Sequence, residues 1–319
     1  MSETRIERIG SGLLTRNDVL AAAERIRGRV HRTPTLTSRT LGEDVVLKAE
    51  LFQKTGSFKV RGVLNKLASL SADEKAVGVI GISAGNHAQA LAWGAAAEGI
   101  DCLVVMWASA SEAKVDATRG YGARVDLEAV DPAAAFERLA VLIAETGRTL
   151  VHPFDDPVVL AGAGTVALEL LEDAPETETI LVPTGGGGLV AGIAAAAPDR
   201  RVVAVEPERS TAVHSGLAAG RSVPVKPDSI ADGLSAPFAG EQALALLREH
   251  EVESVLVSEA EIETAFRFLY ARAKLACEPA AALGAAAILA GKVTGSGLAF
   301  VVSGGNVVAE TASAILASR

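Results

Sequence analysis

Short runs rich in Val, Ile and Leu alternate with longer Ala-rich windows along almost the whole chain. The runs Val77–Ile82, Cys102–Met106, Ala123–Leu127, Ile180–Val182, Val202–Val205, Ser254–Val257 and Leu298–Val302 read as strands. Between them Asn86–Glu98, Pro132–Glu145, Val158–Leu171, Leu189–Ala197 and Glu261–Leu275 read as helices. A first helix starts at a capping-box pair, Thr15 and Asp18, and continues through Val19, Ala23, Ile26 and Val30 at helical spacing. Strand and helix in strict alternation predict the α/β class, with parallel sheets and crossover helices. The strands are too many for one small sheet, so two open, mostly parallel sheets flanked by helices are expected. No Pro/Ser-rich linker divides the chain, which predicts a small lobe inserted in a large lobe.

Chemistry in such sheets gathers where strands end, so the clusters after the runs carry the functional reading. Gly185 to Gly188 follow one strand and open a helix. A turn without side chains at a helix start lets a ligand reach backbone N–H groups at the positive end of the helix, which makes a phosphate cradle. Ser83-Ala84-Gly85-Asn86-His87 closes another strand. Asn86 there either caps the next helix or belongs to a polar nest for a carboxylate. Ser303-Gly304-Gly305-Asn306 ends the most apolar run, Glu278 precedes Pro279, and Lys59 lies in Lys54-Thr55-Gly56-Ser57-Phe58-Lys59. A lysine amine condenses with an aldehyde once burial or a neighbouring charge lowers its pKa. One rival stands beside this reading. Gly186-Gly187-Gly188-Leu189-Val190-Ala191 fits the G-x-G-x-x-A dinucleotide pattern, with Glu206 placed as a ribose-binding acid, so an NAD-binding oxidoreductase stays open. Gly162-Ala163-Gly164-Thr165-Val166-Ala167 fits the same pattern without a buried strand before it.

The bulk properties remove other classes. A net charge of −9 argues against a nucleic-acid surface, and no apolar stretch is long enough for a membrane span. Cys102 and Cys277 sit in apolar sequence and read as buried thiols, and Met1–Arg5 lacks the apolar core of a signal peptide. A cytoplasmic enzyme acting on a small molecule is expected.

Taken together, the Lys54–Gly62 segment, Ser83–His87, His152-Pro153-Phe154-Asp155-Asp156-Pro157 and Pro183–Leu189 stand in one order. Val205-Glu206-Pro207, Ala231-Asp232-Gly233, Glu278-Pro279 and Ser303–Asn306 continue it. From about Thr33 to the C-terminus the chain resembles the serine/threonine dehydratases and serine racemases, fold type II enzymes related to the tryptophan synthase β subunit that use pyridoxal 5′-phosphate (PLP). The resemblance implies a large PLP-binding domain of residues 1-68 and 149-319, with a small domain of 69-148. It implies that Lys59 carries the coenzyme as a Schiff base and acts as the catalytic base. Phe58, Lys59, Asn86, Gly185, Gly186, Gly187, Gly188, Leu189, Glu278 and Ser303 would bind PLP. Asn86 would bond the ring hydroxyl oxygen and Ser303 the ring nitrogen. Ser83, Ala84, Gly85, Asn86 and His87 would hold the substrate. The implied reaction is the β-elimination of L-threonine or L-serine to a 2-oxo acid and ammonia, in a catabolic homodimer or homotetramer.

Departures from the family pattern narrow this. Position 84 is Ala where the racemases have a second proton-carrying serine, so serine racemase is the alternative, with hydroxyaspartate dehydratase. Position 212 is Ala where a cation-binding relative has an acid, so no tight metal is expected, with Glu206 and Asp232 the candidates for a weak one. The chain ends at Arg319, so isoleucine feedback through a further region is not expected. Met106-Trp107 replaces a proline-containing turn, and Ala281 a glycine. Widening Gly186 or Gly187 is expected to weaken PLP binding more than it lowers apoprotein stability.

Overall fold

The computed structural model describes residues 12–42 and 44–318, so Met1–Arg5 lies outside the described range. Among the described residues ten strands form, β1 Thr35–Thr37, β2 Val46–Ala49, β3 Val79–Ile82, β4 Cys102–Trp107, β5 Arg124–Ala129, β6 Thr149–Leu150, β7 Thr179–Pro183, β8 Arg201–Pro207, β9 Glu253–Val257 and β10 Leu298–Val302. They make a six-stranded sheet in the order β1-β2-β10-β7-β8-β9 and a four-stranded sheet in the order β5-β4-β3-β6. β1 runs antiparallel to β2, and every other pair is parallel. The central strands β7 and β10 are buried along their whole length, because helices cover both faces, and this is why their sequences are unbroken apolar runs. The smaller sheet comes from one continuous stretch between β2 and β7, the expected insertion. Its last strand falls after residue 148. Thr149 and Leu150 pair with Val79 and Ile80, so this sheet extends past the expected boundary.

Several elements differ at their ends for identifiable reasons. Val77 closes a helix, Ala72–Val77, that a capping box of Ser71 and Glu74 starts, and Gly78 at φ 99 turns the chain into β3. The helix expected from Glu261 begins at Glu259, where Ser258 and Glu261 form a capping box, and becomes a π turn over Leu269–Ala273. The Asp18 carboxylate accepts the Thr15 backbone N–H and hydroxyl at the start of helix Arg16–Ile26, as the pattern predicts. β2 went unrecognised because Lys48 interrupts its apolar run. That side chain is fully buried, and its ammonium donates to the Thr33 carbonyl at 2.7 Å and pairs with Glu169 at 2.8 Å.

Gly162 and Gly164 lie inside helix Pro157–Asp173, not at a nucleotide turn. A Cβ on Gly164 would stand 2.4 Å from the Gly192 carbonyl oxygen, and one on Gly162 2.6 Å from that of Arg61. These glycines let three helices approach closely. Beneath the helix Lys59–Ser69, Arg61 donates twice to Glu50 at 2.8 Å and to Glu169 at 2.7 and 2.9 Å. With Lys48, the buried group carries two cations and two carboxylates, so its charges balance.

Candidate active site

A cavity of about 410 Å³ lies between the two sheets, at the carboxyl ends of β3, β7 and β10. Its walls include Phe58, Lys59, the Ser83–His87 turn, Gly185 to Leu189, Glu278 and Ser303, so one space gathers every cofactor- and substrate-binding residue expected from the sequence.

Lys59 begins its helix because the segment before it is clamped. Ser57 bridges to Gly304, the Phe58 N–H donates to the Ser303 carbonyl at 3.1 Å, and the Gly305 N–H to that of Gly56 at 2.9 Å. The two motifs, far apart in sequence, are thus one short backbone ladder that sets Lys59 beside Ser303. Burial lowers the Lys59 amine to about 8, against the opposing pull of the Glu278 carboxylate. Its Nζ donates to the Pro153 carbonyl at 2.7 Å and stands 5.1 Å from the Phe58 ring centre.

The glycine turn shows why no other residue fits. A Cβ on Gly186 would lie 2.4 Å from the Phe154 ring, and Gly187 adopts φ 94, with a Cβ there 2.9 Å from Ala243. The space a side chain would need at these positions is thus already taken by Phe154, itself a cavity-lining residue, and by Ala243. A wider side chain here therefore also strains the apoprotein, which argues against the expectation that coenzyme binding would suffer far more than stability. Among the described residues, no acceptor takes the N–H of Gly186, Gly187, Gly188 or Leu189, at the start of helix Gly188–Ala196. A second helix start, Asn86–Ala97, also lines the cavity beside Ser83 and Gly85, where the Ser83 hydroxyl accepts from the Gly85 N–H at 3.0 Å.

Asn86 does not cap that helix with its side chain. Its Nδ2 donates to Glu278 at 2.8 Å, and its Oδ1 accepts from Asn306 at 2.8 Å, so the amide has a fixed orientation. Burial pushes the Glu278 carboxyl up to about 7, aided by Asp232 and opposed by the Asn86 bond. The Ser303 hydroxyl has no hydrogen-bond partner among the described residues. His87 is neutral, lowered by burial to about 3. Its Nε2–H donates to the Val151 carbonyl at 2.8 Å, so its ring is committed to packing and only its backbone is free to serve the turn. His152 is likewise lowered by burial, to about 4, and its Nδ1 accepts from the Asp155 N–H at 2.8 Å.

The Glu206 carboxyl group is occupied by the protein itself. Its carboxylate accepts from the Val213 and His214 N–H groups at 2.8 and 2.7 Å and from the Ser254 hydroxyl at 3.0 Å, anchoring a helix start. Burial pushes it up to about 7. Asp232 is engaged elsewhere, by Lys114 of the smaller lobe. Among the described residues no group of three His, Cys, Asp or Glu is arranged to hold a metal.

Residues 26–304 match the family of pyridoxal-phosphate dependent enzymes. The chain belongs to this family. It is 40% identical over 306 residues to an L-threonine ammonia-lyase of Thermotoga maritima, covering 92% of this chain and 76% of that one. It is also 40% identical over 310 residues to a catabolic L-threonine dehydratase of Staphylococcus aureus, covering 92% and 90%. Among solved structures, a T.th. threonine deaminase matches at TM-score 0.85 and 41% identity, covering 92% of this chain and 99% of that one. Maize serine racemase matches at 0.89 and 34%, covering 94% and 96%.

The site fits the coenzyme of this pyridoxal-phosphate dependent family in its own donor set. Four unclaimed N–H groups at a helix start suit a phosphate, a buried amine with a lowered pKa suits an aldehyde, and an unpartnered hydroxyl suits a ring nitrogen. Three features were not assigned from sequence. They are the Pro153 carbonyl under Lys59, Asn306 behind Asn86, and an aromatic chain in which Phe136 packs on Phe238 at 5.3 Å and Phe238 on Phe154 at 5.6 Å.

Proposed function

We propose that this enzyme deaminates L-threonine to 2-oxobutanoate and ammonia, with L-serine as a second substrate, in catabolism. The observation that carries the reading is the buried Lys59 amine, set beside the unclaimed N–H groups of the glycine turn in one cavity. The threonine-specific names of the relatives at 40% identity support the substrate.

In this reading Phe58, Lys59, Asn86, Gly185 to Leu189, Glu278 and Ser303 hold the coenzyme, and the Ser83–His87 turn holds the substrate carboxylate with helix-start N–H groups. Bound PLP supplies an electron sink for the charge left at the α-carbon. Lys59, as a free amine, removes the α-proton, and its lowered pKa keeps a useful neutral fraction near neutrality. Asn306 and Glu278 fix the orientation of the Asn86 amide, which keeps one N–H to spare. A neutral Ser303 hydroxyl does not hold a ring nitrogen protonated, which favours prompt loss of the β-hydroxyl over transamination. Two lobes, with the smaller extended to Leu150, enclose the site. Cytoplasmic location, a homo-oligomer, and the absence of nucleic-acid, membrane and tight-metal partners complete the proposal.

Racemisation needs a proton carrier on the face opposite Lys59. Ala84 has none to offer, so a racemase is the weaker reading despite the resemblance to the maize enzyme. Lys59→Ala tests the assignment. Ammonia release from L-threonine should fall at least about 10²-fold, the low end for removing a positioned acid–base group, with the thermal transition retained. Turnover near wild type would end it.

A further inference from the structure

On the reading just given, three parts of the cavity wall are already claimed. Lys59, Asn86, Glu278 and Ser303 take the coenzyme ring, the glycine turn takes the phosphate, and the Ser83–His87 turn takes the carboxylate. The substituent on the substrate β-carbon must meet what remains. That remainder holds the polar Gln89, Ser109, Ser111 and Ser235, and an apolar part made of Trp107 at the end of β4, Pro132 and Phe136 at the start of the helix Pro132–Thr146, and Phe154 with Pro237 across the gap. Phe136 and Phe154 are braced against a common partner, since both pack on Phe238, with ring centres at 5.3 and 5.6 Å. Among the described lining residues the cationic side chains are Lys59 and Lys114, and Lys114 is paired with Asp232. The two lining histidine-bearing segments add no charge, because the His87 ring donates to Val151 and the His152 ring accepts from Asp155.

We infer that the aromatic part of this unclaimed wall is an apolar β-substituent pocket, with Phe136 a specificity-determining residue, and that the enzyme also deaminates 3-hydroxy amino acids bearing an alkyl group larger than the methyl of threonine. A β-carboxylate finds no free cation there and would be desolvated without a partner, so 3-hydroxyaspartate is rejected. Each added methylene instead gains burial, about 0.8 kcal/mol, which is about fourfold in affinity. The probe reaction is balanced within the known chemistry. 2-Amino-3-hydroxypentanoate loses its α-proton and its β-hydroxyl as water, and the resulting enamine takes up one water and releases ammonia, leaving 2-oxopentanoate.

The test combines binding and turnover on the holoenzyme. Unreactive L-alanine, L-2-aminobutyrate, L-norvaline and L-aspartate replace hydrogen, methyl, ethyl and carboxylate at the β-carbon, and their Kd values are read by titration calorimetry. Tightening of up to about fourfold per methylene, with aspartate weakest, is expected. Norvaline bound more weakly than 2-aminobutyrate, while threonine is still deaminated, overturns the inference. No ammonia from threonine either would instead overturn the reaction on which it rests. Phe136→Ala should abolish the norvaline advantage over alanine, and Phe136→Leu should keep it. An unchanged preference in a folded Phe136→Ala protein removes Phe136 from the role.

Discussion

Lys59 is useful only as a free amine, and burial is what supplies that form. The amine falls from an ordinary 10.5 to about 8, because desolvation penalises its charge more than Glu278 favours it. Coenzyme attachment to the apoprotein needs the neutral form, so its rate should rise with pH and level off above about 8. Below that midpoint it should drop about tenfold per pH unit. A rise that continues to 10.5 would place Lys59 in water. The glycine turn yields a second residue-scale prediction. In Gly186→Val the side chain meets the Phe154 ring, where even a Cβ would stand 2.4 Å away, so apoprotein stability and coenzyme affinity should fall together. Loss of affinity at wild-type stability would mean that the turn opens toward the cavity instead. At Ala84 the expectation concerns an absent atom. L-Serine should give pyruvate with little D-serine, and Ala84→Ser should raise D-serine measurably on chiral chromatography. The gain should be modest, since that hydroxyl also needs its orientation fixed. Rapid racemisation by the wild type would move the chain to the racemases.

At the scale of elements, the helix that begins at Lys59 is pinned from below by Arg61. Its guanidinium satisfies Glu50 and Glu169, both anchored on other elements, so Arg61→Met leaves the buried Glu50 carboxylate without a cation, while Glu169 keeps Lys48. A loss of about 3–5 kcal/mol is expected in denaturant unfolding, the usual cost of breaking a buried pair from one side. A change within about 0.5 kcal/mol would show that water reaches the network. The same elements show what a sequence can and cannot disclose. Lys59, Ser303 and the two helix-start turns were legible, because glycines and polar residues stand out where an apolar run stops. β2 was hidden, because Lys48 looks like a surface charge until Glu169 arrives from a distant helix. Glu206 read as a ribose ligand because its spacing after the glycines fits, whereas its partners lie on the helix that begins at Ala212. Pro153 and Asn306 sat within quoted motifs, yet their duties depend on contacts far along the chain, to Lys59 and Asn86.

The whole molecule places its chemistry in the gap between two parallel sheets, where strand ends from both converge. The Lys114–Asp232 ion pair and the Phe136–Phe238 packing bridge that gap, and both flank the cavity. Everything argued for the site depends on Lys59 being the point at which the coenzyme is held. Peptide mapping after borohydride reduction of the holoenzyme tests that directly. The coenzyme mass is expected on the peptide containing Lys59 and no other, with ammonia release from L-threonine lost on reduction. Coenzyme mass on a different lysine, or a protein that takes up PLP without labelling Lys59, would contradict it.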